Sequence, residues 1–352
     1  MSVPRAKSAD AAKESAEWRA ATKKRAPREK SSGTKAAGAS VVIGGQAVAL
    51  TNQTKVLFPN DGYTKGDLVA YYRAVAPVIL PYLRDNPVTM ERFPDGIDVP
   101  RGIWAKEMPR YTPSWVHRAT IPPSTGEPRD VTYVVVDDEA TLVWCANLAA
   151  ITLHIWYSRV GSLDVPDVIL FDLDPGERCP LARLARVALA FRDELRAIGL
   201  RPYVKTTGGM GLHVLVPLAP RYDYDVAKGV SELLARRVHT VLPDDTTLER
   251  AVARRPEDLV YLDWVQVGKG KTYVAPFTVR ARDRAPVSMP LAWSEVEAMR
   301  RKRAPETTAE MRRWTIRNVP ALVAKGGDPW VAEGWKPQKL EGALAKARSL
   351  WE

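Results

Sequence analysis

From Val41 onward the apolar positions of the chain switch repeatedly between a period of two and a period near 3.6, the pattern of a mixed α/β protein. Val41–Leu50 reads as a hairpin turning at Gly44-Gly45, and the stretch with Asn52, Lys55 and Phe58–Gly62 as a loop. Thr64, with Asp67 three residues on, opens a helix that runs to about Tyr82. Pro87–Gly96 predicts a strand and turn, Val131–Asp138 a β-branched strand, and Leu142–His154 an apolar helix whose later end offers His154. Asp167–Gly176 is an apolar run closed by Pro-Gly, the pattern of a buried strand. An amphipathic helix over Leu181–Leu200 and a short strand over Tyr203–Thr206 follow. Thr206–Pro217 then reads as strand, glycine-rich turn and strand, with His213 entering the second strand. Further on come a helix over Asp225–Leu242, a strand over Leu259–Trp264, and a strand over Phe277–Arg282. Helical segments broken by Pro and Gly fill Trp293–Glu352.

The period of two puts Asp172 and Asp174 on one face at the end of the buried strand. At an effective dielectric of about 20, two carboxylates about 4 Å apart repel by roughly 4 kcal/mol. The pair therefore needs a divalent cation, an arginine or a shared proton; a solvated turn with Asp172 capping locally is the plain alternative. Oxygen donors favour a hard cation, Mg²⁺ or Mn²⁺. The hydroxyl- and glycine-rich turn Thr206–Gly211 suits a phosphate approached by backbone N–H groups, and a tight hairpin equally well. Arg280 and Arg282, on one face of their strand, suit a bidentate grip on phosphate. Lys55 and Lys65 flank a helix N-terminus, where an anion is already favoured. Ile103 and Trp104, beside Lys106, offer either a platform for a base or a piece of core.

Composition narrows the class. In 352 residues, 45% of them hydrophobic, there is enough material for a real core, expected to divide into two packed lobes. The formal charge of +11 points to a polyanion, although six of those charges come from residues 1–40, which hold ten Lys/Arg against four Asp/Glu. That stretch is expected to be a disordered basic tail. Two cysteines, Cys145 and Cys179, are too few for a disulfide scaffold or a zinc site. No apolar run is long enough to cross a bilayer and the N-terminus lacks a secretory signal, so no membrane partner and a cytoplasmic location are expected.

Taken together, Phe171-Asp-Leu-Asp-Pro175, Gly211-Leu-His213 and Val260-Tyr-Leu-Asp-Trp264 resemble the three motifs of the archaeo-eukaryotic primase superfamily. The resemblance sharpens to the polymerase domain of bacterial ligase D through Leu50-Thr-Asn52, Lys55-Val-Leu57, Gly62–Asp67, Pro87-Val-Thr89, Ala146–Ala150 with His154, and Ala275–Arg282. It covers roughly residues 46–340 and implies a primase-polymerase fold: an α+β arrangement of mixed or antiparallel sheets with flanking helices. The domain would occupy residues 41–340, with 341–352 as a C-terminal helix end.

By that resemblance Asp172, Asp174 and Asp263 hold two metal ions, Mn²⁺ or Mg²⁺. His154, Thr207, Gly208, Gly211, His213, Lys271, Arg280 and Arg282 bind the incoming nucleoside triphosphate. Asn52, Lys55 and Lys65 grip the 5′-phosphate across a gap in DNA, while Trp104 and Lys106 meet the DNA itself. The implied activity is template-dependent addition of nucleotides, preferably ribonucleotides, to a primer 3′-hydroxyl in short gaps during DNA repair. Two departures stand out: Met210 occupies the place where the family's glycine-rich loop usually has a lysine, and Ile103 replaces one of an aromatic pair. The lysine-x-aspartate-glycine motif of ligases is absent, so a stand-alone polymerase served by a separate DNA ligase is expected. Two rivals differ in class. A haloacid-dehalogenase-like phosphatase would use Asp172 as a nucleophile, and a non-catalytic DNA-end or gap-binding module would use the basic surface alone.

Overall fold

The computed structural model describes residues 40–99, 101–123, 129–302 and 307–351. The expected basic tail over residues 1–40 therefore lies, Ser40 apart, outside the described residues. Strands β1 (Ser40–Ile43) and β2 (Gln46–Ala49) form the expected hairpin, in which Gly44 and Gly45 both take positive φ, as a two-residue turn with right-handed twist requires. The following stretch, expected to be a loop, contains a second small hairpin, β3 (Val56–Phe58) with β4 (Tyr63–Thr64). Leu57 and Phe58 are fully buried, so this run folds inward. Thr64 then caps α1 (Lys65–Leu83) in a capping box closed by Asp67.

Next come β5 (Pro87–Arg92), β6 (Ile103–Ala105), β7 (Arg118–Ile121) and β8 (Val131–Val135), then α2 (Glu139–Asn147) and β9 (Ala150–Trp156). The last two correct an expectation. Helix does not reach His154: Ala149 takes φ 55°, and the chain leaves the turn as a strand buried along its whole length. Ile151, Thr152 and Ile155, branched at Cβ, favour the pleated form there.

The second half runs β10 (Val168–Pro175), α3 (Leu181–Ala197), β11 (Tyr203–Thr206), β12 (Leu212–Pro217), α4 (Tyr224–Val241), β13 (Thr246–Thr247), β14 (Val260–Asp263), β15 (Thr272–Val274) and β16 (Pro290–Leu291). Helices α5 (Trp293–Arg301), α6 (Thr307–Met311), α7 (Val319–Gly326), α8 (Pro329–Ala332) and α9 (Glu341–Trp351) complete it. Phe277–Arg282 is not the expected strand. Phe277 sits at φ 62°, Val279 makes a single bridge to Val287, and the chain turns back by Ala285 N–H to the Arg282 carbonyl.

These elements build two six-stranded sheets, β13-β14-β10-β12-β11-β16 and β15-β9-β5-β8-β7 with β6 on β5. Every pairing in them is antiparallel except β13 with β14. One continuous core draws on both sheets and on α1, α3 and α4, and the described residues cluster as one unit. The tryptophan-rich C-terminal part is core too. Trp330 stacks on Trp335 at 4.7 Å and its indole N–H donates to the Val204 carbonyl, while Tyr82 on α1 donates to Asp328 at 2.6 Å.

Two glycines give opposite expectations. A Cβ on Gly211 would stand 2.4 Å from the Leu173 carbonyl oxygen, whereas one on Gly229, exposed within α4, would meet nothing within 4 Å. Gly211→Ala should lose about 1–3 kcal/mol in urea denaturation. Gly229→Ala should gain about 0.5–1 kcal/mol.

Candidate active site

The sequence of β10 decides where chemistry can occur. Val168–Phe171, Leu173 and Pro175 are buried, so the alternate residues Asp172 and Asp174 are the ones left facing outward at its end. Antiparallel pairing then sets their neighbours: Asp172 is opposite His213 on β12 and opposite Asp263 on β14. Asp172 and Asp174 open into a cleft of about 650 Å³, shared with Trp104, His154, His213 and Arg280.

The carboxylates lack enough positive charge. Burial, and then the charge of Asp172, push the Asp174 carboxyl up to about 6; Arg255, 3.7 Å away, only partly offsets this. Arg255 itself lies 3.5 Å over the Tyr261 ring. Asp263 accepts from Gln266 Nε2 at 2.9 Å and from the Val265 N–H at 3.2 Å. Among the described residues no three His, Cys, Asp or Glu side chains stand together as a metal set. The donor types nevertheless fit a hard divalent cation: two carboxylates at the end of β10 and a third, Asp263, opposite Asp172 on β14, with Asp174 holding its proton more tightly than usual through burial first and the charge of Asp172 second.

The histidines are held neutral. His213 Nε2 is 3.4 Å from Asp172, its Nδ1 is buried without a partner, and burial with the nearby Lys205 charge lowers the imidazole to about 4. His154, on β9, is lowered by burial first; its Nε2 has no hydrogen-bond partner and lies 3.7 Å from Glu91. Trp104 packs its ring 4.4 Å from that of His154 while remaining 48% exposed. The structure thus puts Trp104 in the cleft with the predicted nucleotide residues. Lys106 follows β6 outside the cleft lining.

The phosphate-binding candidates divide. The Thr207 hydroxyl accepts from the N–H groups of Gly209 and Gly211 at 3.1 and 3.3 Å, and its carbonyl accepts from Arg280 Nη1 at 2.8 Å. Gly208, at φ 68°, leaves room for Arg280, whose Cγ would be 2.6 Å from a Cβ there. Arg280 is half-buried and pushed down to about 10, above all by loss of water around its guanidinium, so it stays cationic at neutral pH with its Nε buried and unpartnered. Arg282 and Met210 line the same cleft, whereas Lys271 turns its ammonium to the Val265 carbonyl and does not. Sequence reasoning missed Lys205, fully buried and bonded to Ser288 at 2.7 Å, along with Tyr157 and Arg312 in the cleft wall. Nothing in their local patterns distinguishes them from core or surface residues.

At the α1 N-terminus the structure brings Asn52, Lys55 and Lys65 into one turn: Lys55 N–H donates to the Asn52 carbonyl, and Lys65 N–H to that of Lys55. The two ammonium groups differ. Lys55 is paired with exposed Asp95 at 2.9 Å, while Lys65 is buried, donates to Thr51 and to the Asn147 carbonyl, and is lowered by burial and by Lys55.

Residues 64–330 match the family described as LigD, primase-polymerase domain. The multifunctional non-homologous end joining protein LigD of Mycobacterium bovis is 35% identical over 260 residues, 72% of this chain and 34% of that protein. The bifunctional non-homologous end joining protein LigD of Bacillus subtilis is 29% identical over 249 residues, 70% of this chain and 39% of that protein. The chain thus spans about a third of the length of the curated relatives it matches. Among solved structures, the polymerase domain from Mycobacterium tuberculosis ligase D in complex with DNA superposes with a TM-score of 0.72 at 32% identity, covering 81% of this chain and 97% of that one.

Because a single hydroxyl holds two N–H groups of the glycine loop, Thr207→Val should cost about 1–3 kcal/mol and speed hydrogen exchange at Gly209 and Gly211. Thr207→Ser should leave both near their original values.

Proposed function

The chain belongs to the LigD primase-polymerase domain family and is a nucleotidyltransferase, and we propose that it adds nucleotides, ribonucleotides by preference, to a primer 3′-hydroxyl in short DNA gaps during end joining or other repair. The observation that carries this is one cleft that holds the carboxylates of Asp172 and Asp174 together with the guanidinium groups of Arg280 and Arg282. A phosphatase using Asp172 as nucleophile would leave the Trp104–His154 pair and Arg282 without a task.

In this reading Asp172, Asp174 and Asp263 would hold two ions, Mn²⁺ or Mg²⁺, which when bound supply charge to the attacking hydroxyl and the departing pyrophosphate. The rest is done by the chain. Arg280 and Arg282 fix the phosphate chain and offset its charge, Arg280 being held in place by the Thr207 carbonyl. The Thr207–Gly211 loop shapes the cleft wall beside them. Neutral His213 faces Asp172 and adds no positive charge that would compete for the carboxylate. Trp104 offers the exposed face of its ring to a base. The unpartnered Nε2 of buried His154 supplies a site for a sugar hydroxyl, the basis for preferring a ribonucleotide. Asn52, Lys55 and Lys65 would take the 5′-phosphate of the downstream strand at the α1 N-terminus. Filling the gap leaves a nick, so the partner this activity requires is a DNA ligase.

Primer extension on gapped DNA tests the assignment. Asp172→Ala and Asp263→Ala should each abolish addition while thermal denaturation and DNA affinity stay near wild type; extension at the wild-type rate by either would remove the carboxylates from the mechanism. Lys55→Ala should erase discrimination between gaps with and without a 5′-phosphate at little cost in stability, because its pair with Asp95 is exposed. Undiminished discrimination would place the end-binding site elsewhere. Ribonucleotides should be inserted about ten- to a hundredfold more efficiently than deoxynucleotides, with Mn²⁺ supporting more activity than Mg²⁺. Equal efficiencies for both sugars and both ions would remove these two preferences and leave the polymerase activity standing.

A further inference from the structure

No motif singles out Arg312, yet it lines the cleft with Arg280 and Arg282. It follows directly on α6, and the fold delivers it there. The segment just beyond it is tied to the turn that carries the other two arginines: Val287 N–H donates to the Trp314 carbonyl at 2.8 Å, Ile316 N–H donates to the Ala285 carbonyl at 3.0 Å, and Pro286 bridges to Thr315. The backbone segments that carry the three arginines are thus joined by one piece of pairing.

The contrast with the adjacent residue shows what Arg312 lacks. Arg313 pairs with Glu310 and Glu295 and lies 4.0 Å over the Trp314 ring, the surroundings of a structural arginine. Arg312 has no ion-pair partner among the described residues, and its Nε is shielded from water without a hydrogen bond. Asp283, the one carboxylate whose charge acts on it, accepts a hydrogen bond from Asn60 at 3.0 Å. Burial and the nearby Arg282 both lower its affinity for its proton. A cation crowded against like charge and partly stripped of water is costly, and an anion in the cleft would relieve that cost.

We propose that Arg312 is a third cationic grip on the phosphate chain of the incoming nucleotide, and that it sets much of the preference for a triphosphate over a monophosphate. This rests on the polymerase reading given above. Two guanidinium groups can neutralise a monophosphate, but a triphosphate in the same cleft carries charge for more. The role also accounts for a cleft in which the glycine loop presents Met210, an uncharged side chain, beside the phosphate-binding arginines.

The test is titration of ATP and of AMP into the full chain with Mn²⁺, together with single-nucleotide insertion kinetics on gapped DNA. Arg312→Gln should raise the Kd and KM for ATP about ten- to a hundredfold, change the Kd for AMP by less than about threefold, and leave kcat close to wild type. Arg312→Lys should recover part of the loss. Thermal denaturation of Arg312→Gln should show no loss of stability, since no partner is given up, whereas Arg313→Gln should lower stability with ATP affinity unchanged. ATP affinity unchanged in Arg312→Gln, equal weakening of ATP and AMP, or an effect confined to DNA affinity would each overturn the proposal. If the wild-type protein neither binds ATP nor extends a primer, the polymerase reading falls and takes the proposal with it.

Discussion

The structure depends on β10 being clamped by antiparallel partners on both sides. A strand that is apolar on both faces until its last residues has to be covered, and here α3 and α4 pack against it while β12 and β14 flank it. Register leaves no freedom: a slip of one residue would exchange Leu173 for Asp172 in the core. The same register that protects the core sets His213 and Asp263 on either side of Asp172. Core stability and site geometry are therefore one constraint, and Gly211, pressed against the Leu173 carbonyl, is where the two meet.

Charge in the cleft is arranged in opposition and left unbalanced. Loss of water raises Asp174, with the charge of Asp172 adding to it, and lowers Arg280. Between them the histidines are kept neutral by burial. Such an arrangement is poor for folding and suited to a ligand that brings phosphate and cation together, because each excess is then met from outside the protein. Thr207 supplies the stiffness that the charges do not: its hydroxyl holds the loop N–H groups and its carbonyl holds Arg280.

The C-terminal helical part belongs to this machinery. The bond from Tyr82 to Asp328 and the Trp330–Trp335 stack fasten it to α1 and to β11, and its pairing with Ala285–Val287 brings Arg312 to the cleft. A stretch that shows in sequence only as broken helix with many tryptophans is thus part of the wall of the site.

The sequence by itself determined the elements whose signals are local. The Asp-x-Asp strand, the Thr64 capping box, the Gly44-Gly45 turn and the strand-glycine-strand stretch that carries His213 are each legible because the periodicity, capping chemistry or turn preference acts within a few residues. It also carried enough spaced motifs to indicate the family. Tertiary structure alone decided the rest. His154 lies on β9 rather than on a helix, because a fully buried apolar run has no polar face to reveal its period, and only pairing with β5 and β15 chose the strand. Arg280 and Arg282 converge on the cleft through an irregular turn at Phe277 rather than through strand alternation. Lys65 and Lys55 look alike in sequence, yet one is buried against the Asn147 carbonyl and the other is exposed. Arg312 differs from Arg313 only in what the fold sets opposite it. Burial and long-range pairing involve residues far apart in the chain, and no local pattern encodes which of them will meet.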